Sequence, residues 1–144
     1  MSFKQSKFTQ STSKHEKTEL RSAALTALCI QSARDKTQAV LRLSRIVNAN
    51  SANCWCDTQA KLPEPEMGIP GLPSALKLVA PRDVPHRSLG TAAGRAGMIH
   101  ALAHIEFNAI NLALDAIWRF PNMPRDYYLQ WLHVAREEDR KSVV

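Results

Sequence analysis

Residues 95–120 read RAGMIHALAHIEFNAINLALDAIWRF, and the fold is read outward from this stretch. No proline interrupts it, so the backbone can keep an unbroken hydrogen-bond ladder. The spacing predicts one helix of about 25 residues, roughly 37 Å long at 1.5 Å per residue. Two stripes run along it. His100, His104, Asn108, Asn111 and Asp115 recur at three- and four-residue steps and share a polar face. Ile99, Leu102, Ala103, Ile110, Ala113 and Ile117 form an apolar face on the other side. Glu106 falls within the apolar stripe, about 160° around the helix from His104 at 100° per residue. A carboxylate in a core-facing stripe is costly to bury unless it is paired, protonated or bound to a metal.

On either side the chain changes character. Residues 1–17 are basic and hydroxyl-rich with no apolar segment, which fits a disordered basic tail and excludes a secretory signal. From Thr18 to about Arg34, Leu20, Ala23, Ala24, Ala27, Leu28 and Gln31 fall at helical spacing, with Thr18 or a neighbour as N-cap. A second helical stretch, from about Asp35 to Val47, shows Ala39, Val40, Leu43, Ile46 and Val47 on one face, so residues 18–47 read as a helical pair. Residues 48–90 hold six of the eight prolines, between Pro63 and Pro85. That density opposes helix and central strand, and the apolar residues among the prolines suggest an extended strap lying on the helices.

Thr91 is placed to cap the long helix, and Gly94 and Gly97 weaken its first turns by roughly 1 kcal/mol each relative to alanine. Pro121-Asn122-Met123-Pro124 is a turn. Pro124 opens a last helix to about Lys141, with Tyr127, Tyr128, Trp131, Val134 and Ala135 as its apolar stripe.

Composition narrows the function classes. The length is that of about one domain, and 44% hydrophobic residues suffice for a core. No apolar run is long enough to cross a bilayer, so no membrane partner is expected. The net charge is +6, but aromatics do not interleave with the basic residues, so a solvated positive surface is favoured over nucleic-acid binding. Cys29, Cys54 and Cys56 are an odd set without zinc-site spacing, which suggests reduced thiols in a cytoplasmic setting. No nucleophile set or glycine-rich phosphate loop is legible. His100 and His104, at i and i+4, can share a metal, although a solvent-facing or interhelix hydrogen-bonding stripe is the simpler reading.

The two long helices place two carboxylates at one level. Glu106 and Glu138 are equally far in sequence from Asn122, and three- and four-residue steps from the last helix's stripe land on Glu138, whereas Glu137 continues the polar stripe of Asp126, Gln130 and His133. In an antiparallel hairpin the two glutamates then face each other. Facing carboxylates repel unless a cation lies between them. A divalent metal would satisfy that, and so would an ion pair with Arg95 or Arg140, or an exposed edge.

The stretch PRDVPHRSLGT at 81–91 and the continuous GRAGMIHALAHIEFNAINLALDAIWRFPNMPRDYYLQWLHVAREE at 94–138 resemble an uncharacterised bacterial family of ferritin-like helical proteins, a domain of unknown function. The resemblance implies an all-α fold, here an antiparallel hairpin of an incomplete ferritin-like bundle. It implies Glu106 and Glu138 as metal-binding residues, with iron or another divalent transition metal as the cofactor. It also implies distant kinship with oxygen-activating diiron enzymes, including tRNA hydroxylases. The histidine that the family pattern expects three residues after Glu138 is Lys141 here, a poor metal ligand. The expectation is therefore a metal-carboxylate protein lacking part of its ligand set, truncated after the second ligand-bearing helix and inactive by itself, with self-association through the apolar helical face. The alternative is a non-enzymatic helical interaction module.

Overall fold

In this computed structural model the described residues are 18–49, 54–66, 68–76, 79–83 and 87–141, with side chains of the last helix described to residue 137. The tail at 1–17 lies outside them. Four helices, α1 (Leu20–Cys29), α2 (Ala33–Ala49), α3 (Ala92–Arg119) and α4 (Arg125–Lys141), carry the fold. Two short strands, β1 (Thr18–Glu19) and β2 (Cys54–Trp55), form a parallel bridge, and a 3-10 turn spans Pro81–Asp83. The fold is thus all-α apart from a two-residue bridge.

The helices close a ring. α3 packs most extensively on α4, α4 on α2, α2 on α1 and α1 on α3. The amino-terminal pair therefore completes a four-helix arrangement with the α3–α4 hairpin. Its core is Leu20, Ala24 and Leu28 of α1, Val40 and Leu43 of α2, Ile110, Leu114 and Ile117 of α3, and Tyr128, Leu132 and Ala135 of α4. Helix lengths are unequal. At 1.5 Å per residue α1 is about 15 Å long, α2 and α4 about 25 Å, and α3 about 42 Å. The short helices cover only the carboxy-terminal half of α3. Ile110, Ala113 and Ile117 are buried as the apolar stripe predicts, but Ile99, Leu102 and Ala103 on the same stripe are exposed.

Helix ends follow local chemistry. Thr91 caps α3, its Oγ1 accepting from the Gly94 N–H at 3.0 Å. Glu19 is the N-cap of α1, accepting from Arg21 N–H at 3.1 Å and Ser22 N–H at 2.6 Å, and it also receives the Asp57 N–H. The first helix ends at Cys29, earlier than expected, because Ile30 turns extended and the Gly71 N–H caps the Leu28 carbonyl at 2.9 Å. A Cβ at Gly71 would collide with the Cys29 carbonyl oxygen, so only glycine lets the strap approach so closely. Gly94 is likewise required rather than merely tolerated, since a Cβ there would collide with the Ser88 carbonyl oxygen.

The strap packs Leu62 and Ile69 against the core, while Val79 stays exposed. The α3–α4 turn is held by Tyr128, whose hydroxyl donates to the Phe120 carbonyl at 2.8 Å and accepts from the Met123 N–H at 3.1 Å. Asn122 takes the left-handed conformation that the turn needs, and its N–H reaches Thr58 of the strap.

In α4 the buried line differs from the expected stripe. Tyr128, Leu132 and Ala135 are buried, Tyr127 and Trp131 are half-buried, and Val134 is exposed. Leu132 replaces Val134 because the core approaches α4 from the Tyr128 side.

Candidate functional site

Glu106 lies four residues before Ile110 and eleven before Ile117, so it continues the line of α3 that the bundle buries farther along. At its level the cover thins and the residue is half-buried. Glu138 lies on the helical backbone of α4, and its side chain is outside the described residues. Glu137, expected on the polar side, is half-buried, and both Glu106 and Glu137 have interaction partners. Among the described residues no group of three or more His, Cys, Asp or Glu side chains could hold a metal ion.

The polar stripe divides into an exposed end and a buried end. His100 and His104 stand near the uncovered end, their Nε2 atoms 3.2 Å apart and their rings edge-to-face at 4.6 Å. Asn111 is 4% exposed. Its Oδ1 accepts from Lys36 Nζ at 2.5 Å, so this part of the stripe makes interhelix hydrogen bonds. Asp115 is bound by Arg119 through two contacts, at 2.8 and 2.7 Å, and by the Trp118 indole N–H at 3.1 Å. The Arg119 hydrogen bonds hold its carboxyl below the usual range.

Two buried cations were not singled out from the sequence. Arg21 is 1% exposed; its guanidinium donates to the carbonyls of Asp57, Ala60 and Trp118 at 2.9, 2.6 and 2.7 Å and stands 5.7 Å from the Tyr128 ring. It closes the carboxy-terminal end of α3, where the helix dipole favours a positive group. Lys36 is fully buried. Besides Asn111 it donates to the Gly71 carbonyl at 2.9 Å and lies 4.9 Å from the Phe107 ring centre. Burial lowers its pKa to about 8, with Cys29 opposing the shift. Helical spacing carried the signal in both cases: Arg21 aligns with Ala24 and Leu28, and Lys36 with Val40 and Leu43.

The three cysteines are free thiols. Burial, with Glu19 nearby, pushes Cys54 up and Cys56 to about 11, so neither is a ready nucleophile at neutral pH. No described helix is long and apolar enough to cross a membrane.

A family model described as a protein of unknown function (DUF455) matches residues 11–142. An uncharacterised protein of Haemophilus influenzae strain Rd is 49% identical over 81 residues, which cover 51% of this chain and 28% of that relative. The match therefore spans well under a third of the relative's length. No solved structure matches.

Proposed function

We propose, from the premise that this chain belongs to the ferritin-like DUF455 family of unknown function, that it is a metal-carboxylate protein of the diiron type. Glu106 of α3 and Glu138 of α4 would supply carboxylate ligands. The observation that carries this reading is the position of Glu106. It continues the core-facing line of the longest helix at the level where the surrounding helices give out, so the carboxylate is only half-buried. A carboxylate on such a line of a helical bundle suits a divalent cation held between helices.

The donor set of the described residues does not by itself make a diiron centre. Further ligands would have to come from outside them, and these residues alone carry no catalytic step. In complete sites of this kind the metal pair supplies dioxygen activation. This chain's contribution is to hold carboxylates on rigid helices, and the chain alone should not turn over.

Anaerobic Fe(II) titration in a His100→Ala background, which removes the competing His pair, tests the reading. Weak binding that falls further with Glu106→Gln, and no ferroxidase activity on admitting oxygen, are expected. Tight stoichiometric binding with turnover would refute the partial-site reading, and identical binding by Glu106→Gln would remove Glu106 as a ligand.

A second reading, a non-enzymatic interaction module, is favoured by the uncovered half of α3. There Met98, Ile99, Leu102 and Ile105 are 46%, 62%, 49% and 62% exposed. Four large apolar side chains on one overhanging helix make a surface for a second copy or another protein. Dimerisation in size-exclusion chromatography that is independent of metal and survives Glu106→Ala would favour this reading over the first.

A further inference from the structure

The uncovered end of α3, from Ala92 to Ile105, is about 20 Å long at 1.5 Å per residue. Arg95, Ile99, Leu102 and Glu106 follow one another along it at steps of four, three and four residues. At 100° per residue they lie within about 60° of one another and form a single line. Arg95, Ile99 and Leu102 are exposed, and Glu106, where the cover begins, is half-buried. Met98 and Ile105 flank the line on one side and Ala96 and Ala103 on the other, and all four are exposed.

This line is complementary to itself. Its spacing reads the same in both directions, with a cation at one end, an anion at the other and two large apolar residues between. A second copy can be laid on it antiparallel, about a two-fold axis at the level between His100 and Ala101. Arg95 then stands opposite the partner's Glu106, and Ile99 opposite the partner's Leu102. The two-fold also sets each flank against its own kind, Met98 beside the partner's Ile105 and Ala96 beside the partner's Ala103. Alternating three- and four-residue steps are those of a coiled-coil seam. A parallel pairing in register would instead oppose Arg95 to Arg95 and Glu106 to Glu106, which is repulsive.

Both charged groups have capacity for the contact. Among the described residues Arg95 uses only Nη1, on the Leu89 and Gly90 carbonyls at 3.4 and 3.2 Å, so the rest of its donor fork is available. Glu106 has a partner within its own chain, and a carboxylate offers about four acceptor positions, so it can also accept from a guanidinium.

We propose that the uncovered end of α3 pairs antiparallel with the same segment of a second copy, closed at each end by Arg95 and the partner's Glu106. This rests on the interaction-module reading and names its partner. The contact spans only the overhanging turns, which is small for a protein interface, so the dimer forms with rising concentration.

Sedimentation velocity of the full chain in metal-free buffer, up to millimolar concentration, tests this and keeps the result apart from the metal reading. A monomer–dimer equilibrium is expected. Arg95→Glu opposes carboxylates at both ends and Glu106→Lys opposes cations, so each should weaken self-association at least about tenfold. Mixed in equal amounts, the two variants should regain the wild-type affinity, because opposite charges then meet at both ends. Leu102→Asp should abolish association. Arg95 and Leu102 are exposed, so their variants keep the fold; circular dichroism checks Glu106→Lys, and Arg95→Glu alone decides if that variant does not fold.

Charge reversal without effect, or a mixture no tighter than either variant, would overturn the two-fold pairing. If Leu102→Asp still abolished association, the interaction-module reading would stand with another register. A chain that stays monomeric would also overturn the proposal and leave the face to a different protein. Association that survives Leu102→Asp would count against both the pairing and the use of this face.

Discussion

Replacing Arg21 by methionine should remove a large share of the protein's stability. The perturbation is confined to the charged head, because methionine can fill much of the space of the arginine stem. Lost with it are three short hydrogen bonds, to Asp57, Ala60 and Trp118, a longer one to Ile117 at 3.4 Å, and the contact with the Tyr128 ring. Hydrogen bonds from a charged donor are worth about 1.5–3 kcal/mol each, and those that remain exposed contribute little. Two of the three short bonds here are only part-buried. Taking the low end for all three gives a loss of about 4–5 kcal/mol. Most single domains hold only about 5–15 kcal/mol in total. Urea denaturation followed by tryptophan fluorescence measures the loss, since Trp118 sits at the disrupted helix end. Arg21→Lys should recover less than half, because a single ammonium cannot reach both the α3 end and the strap. A loss under about 1.5 kcal/mol at unchanged m-value would refute the view that this guanidinium joins α1, α3 and the strap.

Lys36 makes stability depend on pH in the alkaline range. Its folded-state pKa of about 8 lies below the ordinary 10.5, so the unfolded chain holds the proton more tightly, and stability should rise by up to about 3 kcal/mol as pH climbs from 8 to 10.5. Lys36→Met should lack that rise, and parallel pH profiles of the two proteins in urea melts would count against it. Tyr128→Phe removes the hydroxyl that joins Phe120 and Met123 across the turn. It should cost about 1–2 kcal/mol, with hydrogen exchange at Met123 accelerating more than in the middle of α3.

Much of the helical layout is legible in local sequence. The Thr91 cap, the long proline-free helix and the turn at Asn122 each follow from the conformational preferences of a few neighbouring residues. The end of α1 departs from its helical spacing because it depends on a distant contact, the Gly71 N–H on the Leu28 carbonyl. The face of α4 is displaced because the apolar pattern of that helix is broad enough to allow either Val134 or Leu132 inside. The core side of α4 is set by where α2 and α3 approach it.

The candidate site shows the same division. The sequence alone determined that Glu106 shares a helix face with Ile110 and Ile117, and that His104 does not, because helical angle is a local property. Only the tertiary structure decided how far along α3 that face is covered. α1 is too short to reach the level of Ile99 and Leu102, so an apolar stripe that is uniform in sequence is buried at one end and bare at the other. The fate of the polar stripe was also set by partners. Asn111 is drawn inside because Lys36, 75 residues earlier in the chain, donates to it, and a buried ammonium group has to find its acceptors wherever the packed helices supply them.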